Sequence, residues 1–293
     1  MPALTPLYDD ASSCTPLQVA TDDDGWRPHD LRCALNAKLG CRGSHVVVLD
    51  GLVSEEQRRQ IMDELGGGAS GEHEPPTALW DRGTVDAVGL PPSWGLRQSV
   101  LRRLESSPPR CLLQVHARLC RLFPEFHVCH MPAFVEDGGE DAPDDARPAS
   151  RTSFVANAAT HGDCFSWHVD ADPRCLPRSA AWPHGAYTNG TRGKPRLISL
   201  LLYCDAVWEP AWQAETLFVT DRGVGLCVQP KPGRAVLLDQ DVLHRVSAPS
   251  PLAKRPRFSL VWKLAFVPRE PAPGEDVPPE SIVRDEWGPP TCL

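Results

Sequence analysis

Two short motifs in the middle of the chain place an aspartate two residues after a histidine: His161 with Asp163, and His168 with Asp170. In a β-strand, residues two apart leave the same face, so an imidazole nitrogen and a carboxylate oxygen can reach one cation. A histidine from a second strand would complete a set of two histidines and one carboxylate. Such a set holds non-haem Fe(II) and leaves coordination positions open for other ligands.

The residue types alone do not decide whether either motif binds a metal. A pattern this short arises by chance in a chain with 10 histidines. The alternative interpretation is a pair of polar residues with no metal. The metal interpretation requires a third ligand from elsewhere in the chain and a fold that brings strands distant in sequence face to face.

The elements that must position these residues follow from the pattern of apolar residues. Short apolar or alternating runs bounded by Gly, Pro, Asn and Asp predict strands. A capping box and apolar residues at a spacing of three to four predict helices. The predicted helices are 54–65, 96–105 and 110–122, and the predicted strands are 45–50, 126–134, 152–158, 163–169, 196–204, 215–220, 224–229, 234–238, 242–247 and 257–266. Helices followed by many short strands predict an α+β fold, in which N-terminal helices support a β-sandwich or jelly roll.

The order of motifs between residues 154 and 266 resembles that of the Fe(II)/2-oxoglutarate-dependent dioxygenases, in their prolyl 4-hydroxylase-like branch. Residues 162–170 match the pattern Gly-Asp-x-Phe-x-Trp-His-x-Asp. The further segments that resemble the family are 45–65, 196–208, 215–218, 228–238 and 241–249. The resemblance implies a double-stranded β-helix, or jelly roll. It also implies that His168, Asp170 and His244 bind Fe(II).

The resemblance further implies that Arg257 binds the far carboxylate of the cosubstrate 2-oxoglutarate, with Tyr203 and Ser259 adding hydroxyl donors. Arginine suits this role because its planar guanidinium binds a carboxylate through two hydrogen bonds and stays charged. Alternation along residues 257–266 puts Arg257 and Ser259 on one strand face with Val261 and Lys263. The alternatives are a solvated charge for Arg257, a core aromatic for Tyr203 and an ordinary strand serine for Ser259.

Three features depart from the family pattern. Gln213 and Ala214 stand where the family has two glycines. A tyrosine common upstream of the first ligand is absent, and Asn157 is a candidate substitute. Finally, Arg257 lies 13 residues after His244, which is further than usual in the family and indicates a small loop insertion.

Composition narrows the class of protein. The 293 residues carry a net charge of −8, which disfavours a nucleic-acid binder. No apolar run has the length of a membrane helix, and the first residues lack a secretory signal. The 11 cysteines form no CxxC pair, so they are expected to be free thiols. We therefore expect a cytoplasmic or nuclear protein that functions as a monomer, away from membranes.

Composition also predicts the domain organisation. Residues 1–43 are expected to form a poorly ordered arm, and residues 268–293 an acidic, proline-rich tail. Residues 44–267 would form the dioxygenase domain, with the jelly-roll core at about 152–266. Within the domain, residues 136–147 form an acidic loop, and residues 171–195 form a basic loop that either attracts an acidic substrate or is simply solvated.

The resemblance implies an enzyme that hydroxylates a C–H bond, with a prolyl or other side chain of a protein or peptide as the substrate. Its cofactors would be Fe(II), 2-oxoglutarate and O2, with ascorbate as reductant. One alternative is a nucleic-acid demethylase of the same fold. Another is a catalytically silent jelly-roll binding module.

Overall fold

The structure is a computed structural model. It describes residues 15–16, 25–39, 43–67, 74–84, 92–131, 152–163, 165–178, 182, 184–191, 193–220 and 222–269. The acidic loop and nearly all of the predicted tail lie outside the described residues.

Three helices lie in the first half of the chain. They are α1 (Glu55–Glu64), α2 (Gln98–Ser106) and α3 (Arg110–Leu122). Helix α1 begins as the capping box predicts: the Gln57 N–H donates to Ser54 Oγ, and the Ser54 N–H donates to Gln57 Oε1, at 3.2 and 3.1 Å. Among the described helices, none has the length and apolar character needed to span a bilayer.

The strands form two antiparallel sheets. The strands are β1 (Thr15–Pro16), β2 (Arg32–Leu39), β3 (Ser44–Asp50), β4 (Trp80–Thr84), β5 (Ser93–Leu96), β6 (Phe126–His130), β7 (Phe154–Ala159), β8 (Arg196–Tyr203), β9 (Thr216–Val219), β10 (Gly225–Val228), β11 (Ala235–Asp239), β12 (His244–Val246) and β13 (Arg257–Pro268). The larger sheet has the order β2-β3-β11-β8-β13-β7-β5-β4, with β6 beside β13 and β1 beside β6. The smaller sheet has the order β10-β9-β12. The described part of the chain is thus mostly antiparallel sheet with few helices, as in a β-sandwich or jelly-roll-like fold.

The central strand β13 has two different faces. Phe258, Leu260, Trp262 and Leu264 point into the main core, where they pack with residues of the three helices. The opposite face looks toward the smaller sheet. A second apolar cluster fills part of the space between the two sheets, with Tyr203, Phe218 and Val236 among its members. The helices therefore support one face of the large sheet and leave the other face for the site.

Strand β2 corrects the prediction for the N-terminal arm. Residues 32–39, expected to be poorly ordered, pair with β3 from Arg32 opposite Asp50 to Leu39 opposite Ser44. The prediction was wrong there because the acidic, irregular composition of residues 1–43 hides a strand whose apolar residues alternate with exposed ones, at Cys33, Leu35, Ala37 and Leu39. Strands β4 and β5 were not predicted either. The wider division of the chain into arm, domain and tail stays a prediction.

The predicted strand 163–169 is also wrong. Among the described residues of this segment, only His168 forms a bridge, and its partner is His244. The segment starts with a turn, because the Asp163 carboxylate accepts hydrogen bonds from the N–H and the hydroxyl of Thr160, at 2.7 and 2.9 Å. Gly162 supplies the positive φ of 90° in this turn.

Candidate metal centre and its cavity

His168, Asp170 and His244 come together at one place in the structure. One potential ligand atom of each residue lies within 4.8 Å of those of the other two. The backbone creates this arrangement: His168 and His244 exchange N–H···O bonds of 3.0 and 2.9 Å, and the Asp170 N–H donates to Gln240 O at 2.9 Å. A segment that is not a regular strand is thus held against the strand that carries the distal histidine.

Both histidines are oriented by backbone carbonyls. His168 Nδ1 lies 3.0 Å from Ser166 O, and His244 Nδ1 lies 2.9 Å from Val242 O. A carbonyl only accepts, so each Nδ1 donates to it, and Nε2 is the nitrogen left for a metal ion. Burial lowers the pKa of His244, although the carboxylate of Asp170 opposes this effect. The lowered pKa favours the neutral imidazole. Neutral imidazoles with a free Nε2 are the form that binds metal ions.

The carboxylate between them is anionic and held on both oxygens. Asp170 Oδ2 accepts a hydrogen bond from Ser199 Oγ at 2.6 Å, and Asp170 Oδ1 lies 3.2 Å from Lys263 Nζ. Burial raises the pKa of Asp170, but the charge of Lys263 and the hydrogen bond from Ser199 are among the causes that lower it to about 2. Two neutral imidazoles and one carboxylate fit a divalent metal such as Fe(II).

A cavity of about 160 Å³ opens beside these three residues. Its lining includes the four residues of β13 that alternation placed on one face, namely Arg257, Ser259, Val261 and Lys263. The predicted shared face is therefore present, and it joins the candidate metal ligands to Arg257 within one cavity.

Arg257 is a buried cation with unused donors. Arg257 is only 1% exposed. Its Nε and Nη2 atoms have no hydrogen-bond partner among the described residues. Its guanidinium lies over the ring of Tyr203, 4.8 Å from the ring centroid. Buried polar groups are almost always paired, so donors left unused at a cavity fit an anionic ligand. The alternative of a solvated edge charge is wrong for Arg257.

The hydroxyl of Tyr203 interacts with Thr216 as well as with Arg257. It lies 2.7 Å from Thr216 Oγ1, and burial raises the pKa of Tyr203. Its ring supports the guanidinium of Arg257 from behind. By contrast, Ser259 and Asn157 both line the cavity and face each other as register partners of β13 and β7. Asn157 thus lines the same cavity as Arg257, and its role as a substitute for the missing tyrosine stays a prediction.

The other His-x-Asp motif stays outside the site. Asp163 is fully buried, where it closes the turn at Thr160 and accepts a hydrogen bond from Arg82 Nη2 at 2.8 Å. His161 Nδ1 lies 3.0 Å from Pro249 O. These contacts give the motif a structural role next to the candidate metal centre.

Sequence reasoning did not assign a role to Ser199 or to Lys263. The two residues are register partners on β8 and β13, and both contact Asp170. A signal was present in the sequence, because each is a polar residue inside an otherwise apolar strand run.

In the turn before β9, two residues other than glycine have the positive φ angles that glycine adopts most easily. Gln213 and Ala214 have φ angles of 59° and 62°, a region that side chains disfavour. Gln213 O accepts a hydrogen bond from Trp208 Nε1 at 2.7 Å, which helps to hold the turn.

Part of the predicted basic loop is packed rather than simply solvated. Trp182 and Tyr187 are buried in an apolar cluster that includes Leu197 and Val267. Arg174 forms a hydrogen bond of 3.0 Å to the carboxylate of Asp172, which neutralises one of its basic groups.

No protein-family model matches the chain, and no curated protein matches it by sequence. Among solved structures, it is similar to a prolyl-4-hydroxylase of Pseudomonas putida, with a TM-score of 0.39 and 14% identity over 77% of this chain and 93% of that one. It is also similar to a prolyl hydroxylase of Trichoplax adhaerens in complex with a hypoxia inducible factor oxygen degradation domain peptide fragment, with a TM-score of 0.43 and 10% identity over 76% and 83%. A prolyl 4-hydroxylase of Phytophthora capsici has a TM-score of 0.36 and 18% identity over 76% and 58%. Values this low establish neither the family nor the activity of this chain.

Proposed function

We propose that this protein is an Fe(II)- and 2-oxoglutarate-dependent dioxygenase that hydroxylates a C–H bond in a side chain of a protein or peptide, with proline as the first candidate. The observation that carries the proposal is a single cavity that joins His168, Asp170 and His244 to the buried, unused donors of Arg257. The choice of a protein or peptide substrate rests on the sequence resemblance. The same resemblance leads us to interpret the two sheets as a double-stranded β-helix.

Each residue of the cavity has a task in this proposal. His168 and His244 present Nε2, because their Nδ1 protons are bound to carbonyls, and Asp170 supplies the negative charge. Bound Fe(II), with 2-oxoglutarate and O2, would supply the oxidising chemistry. Arg257 binds the far carboxylate of the oxo acid through its unused nitrogens. Apolar lining residues such as Val261 and Leu238 help to exclude water from the cavity.

The domain that performs this reaction is proposed to span residues 44–267, with β2 added to its edge. Ascorbate is proposed as the external reductant that keeps the iron in its Fe(II) state. Neither proposal depends on a second copy of the chain, so we propose a monomer.

The test is the release of labelled succinate from labelled 2-oxoglutarate, in the presence of Fe(II) and ascorbate but without substrate. We expect turnover by the wild type that is lost in His168→Ala and His244→Ala. The matched control is His161→Ala, which removes the histidine of the neighbouring motif and should keep full turnover. Peptide profiling for the gain of one oxygen atom would then identify the substrate.

Two results would contradict the proposal. Turnover by the wild type no greater than that of His244→Ala, together with no metal binding, would support a silent binding module. Loss of turnover in His161→Ala alone would place the metal at the other motif.

A further inference from the structure

Lys263 places an ammonium group inside the candidate metal site. Its Nζ lies 3.2 Å from Asp170 Oδ1, and its side chain is 23% exposed, so it is mostly enclosed by the cavity. The backbone of Lys263 is fixed on both sides: its N–H donates to Ser153 O at 2.7 Å, and its carbonyl accepts from the Met131 N–H at 3.0 Å. Only the flexible side chain is therefore able to move away from Asp170.

The two oxygens of Asp170 are not equivalent. Ser199 Oγ donates to Oδ2 at 2.6 Å, and we take the other oxygen, Oδ1, as the one that would bind a metal ion. Lys263 is next to that same oxygen. A divalent ion bound to Asp170 Oδ1 would thus lie within a few ångströms of an ammonium group, and like charges at such distances repel strongly in a poorly solvated cavity.

The net charge of the cavity also opposes the binding of a divalent ion. Among the described residues that line it, the charged side chains are Asp170, Arg257 and Lys263, and the two histidines are neutral when they bind metal. The lining therefore carries a net charge of one positive unit before any metal enters. A divalent ion adds two positive units, and a dianionic oxo acid would compensate them.

We propose that Lys263 is a built-in counter-ion for Asp170, which weakens divalent-metal binding until an anion enters the cavity. In the metal-free protein its ammonium neutralises the carboxylate. When metal and a dicarboxylate oxo acid are both present, the anion offsets the repulsion between the metal and Lys263. Metal and oxo acid consequently bind cooperatively, and each increases the affinity for the other by the same factor. This inference rests on the proposed function, because it takes the three residues as metal ligands.

The test measures binding rather than turnover. Co(II) is titrated into the metal-free protein, with and without 2-oxoglutarate, and its dissociation constant is obtained from its visible absorption and from competition with a chelator. In Lys263→Met without oxo acid, we expect Co(II) to bind at least about tenfold more tightly than in the wild type. The increase in affinity caused by 2-oxoglutarate should shrink by a similar factor.

Two further variants serve as controls. Lys263→Arg keeps the positive charge and should keep the weak binding of the wild type. Lys231→Met removes an exposed lysine that pairs with Asp50 far from the cavity, and it should leave the dissociation constant unchanged. Lys263→Gln replaces Lys263→Met if the latter does not fold, as judged by its thermal unfolding.

The outcomes separate this inference from the proposed function. If Co(II) binds the wild type and is lost in His244→Ala, but Lys263→Met binds no more tightly, then the counter-ion role is wrong and the metal site stands. If Co(II) binds Lys263→Met and not the wild type, the inference is supported in its strongest form. If Co(II) binds neither protein, both the metal site and the counter-ion role are wrong.

Discussion

Two regions of this molecule contain the same residue types and use them differently. Each has two histidines and one buried arginine. The cavity group consists of His168, His244 and Arg257, and the core group consists of His116, His130 and Arg118. The difference lies in what the side-chain nitrogens face.

In the core group, at least one nitrogen of each side chain is hydrogen-bonded within the protein. His116 Nε2 donates to Val128 O at 2.7 Å, and His130 Nδ1 accepts from Trp262 Nε1 at 3.0 Å. Arg118 Nη1 donates to Gln57 Oε1 at 2.6 Å. Burial lowers the pKa of both histidines to about 4. His116 thus joins α3 to β6, His130 joins β6 to β13, and Arg118 joins α3 to α1.

In the cavity group, one part of each side chain is bound and another part faces open space. The histidines bind carbonyls through Nδ1 and keep Nε2 beside Asp170, while Arg257 keeps two unused nitrogens. Burial and residue type are thus shared by both groups. The cavity group differs because its histidines and its arginine line one cavity together with the carboxylate of Asp170.

The largest expected effect comes from removing one histidine of each group. His244→Ala should lower the metal affinity by more than about 100-fold, because one of three ligands is lost. His130→Ala should instead keep metal binding and lower the free energy of unfolding by about 2 kcal/mol, because the Trp262 N–H loses its acceptor and a void forms. Metal titration and chemical denaturation of both variants check this. Equal effects of the two variants on metal affinity would remove the distinction between the groups.

The two arginines provide the next test. Arg257→Met should raise the KM for 2-oxoglutarate by about 100-fold, since a charged hydrogen-bonding partner of the far carboxylate is lost. Arg118→Met should leave that KM unchanged but destabilise the fold by about 2 kcal/mol, because Gln57 Oε1 and Leu52 O lose a donor. Succinate release at varied 2-oxoglutarate measures the first effect, and denaturation measures the second. An unchanged KM in Arg257→Met would contradict its role.

The pH dependence of stability should follow the core group. The pKa of His130 is lowered from 6.5 to about 4, so between these values the unfolded chain binds a proton that the folded chain does not. Stability contributed by the neutral imidazole is therefore present above pH 6.5 and is lost as the pH falls toward 4. Between pH 7 and pH 5 this amounts to about 2 kcal/mol for this histidine.

Chemical denaturation at both pH values measures this loss. His130→Phe should lower the stability at pH 7, but its stability should fall by about 2 kcal/mol less than that of the wild type between pH 7 and pH 5. A variant with the full pH dependence of the wild type would show that His130 titrates freely in the folded protein.

The smallest expected effect concerns backbone strain in the turns before β9 and β13. The described non-glycine residues with positive φ are Gln213, Ala214 and Lys254, which lie just before β9 and β13 and away from the helical core. Gln213→Gly should raise the free energy of unfolding by about 1 kcal/mol, because glycine adopts this conformation without steric cost. Thermal unfolding checks this, with Gln60→Gly in the regular helix α1 as a control that should be destabilised by a similar amount.

Local patterns predicted much of the architecture. The capping box marked the start of α1, and the alternation of β13 separated the cavity face from the core face. Both succeed because capping and alternation depend on neighbours in sequence. Strands β4 and β5 escaped prediction because they are short and lie toward one edge of the sheet. Strand β2 escaped prediction although its residues alternate, because it lies within a longer polar, acidic segment.

The sequence by itself determined which residues were candidates for the site: the two His-x-Asp motifs, a distal histidine and a strand with arginine on one face. Only the tertiary structure decided how they are used. In the folded chain, the Asp163 carboxylate closes a turn by accepting a hydrogen bond from Thr160. The fold brings His168, Asp170 and His244 together around one point. It also buried Arg257 at the same cavity and brought Ser199 and Lys263 to the two oxygens of Asp170. The physical reason is that burial, charge pairing and the choice of ligand depend on strands far apart in sequence, whereas local periodicity reports only which way a side chain points.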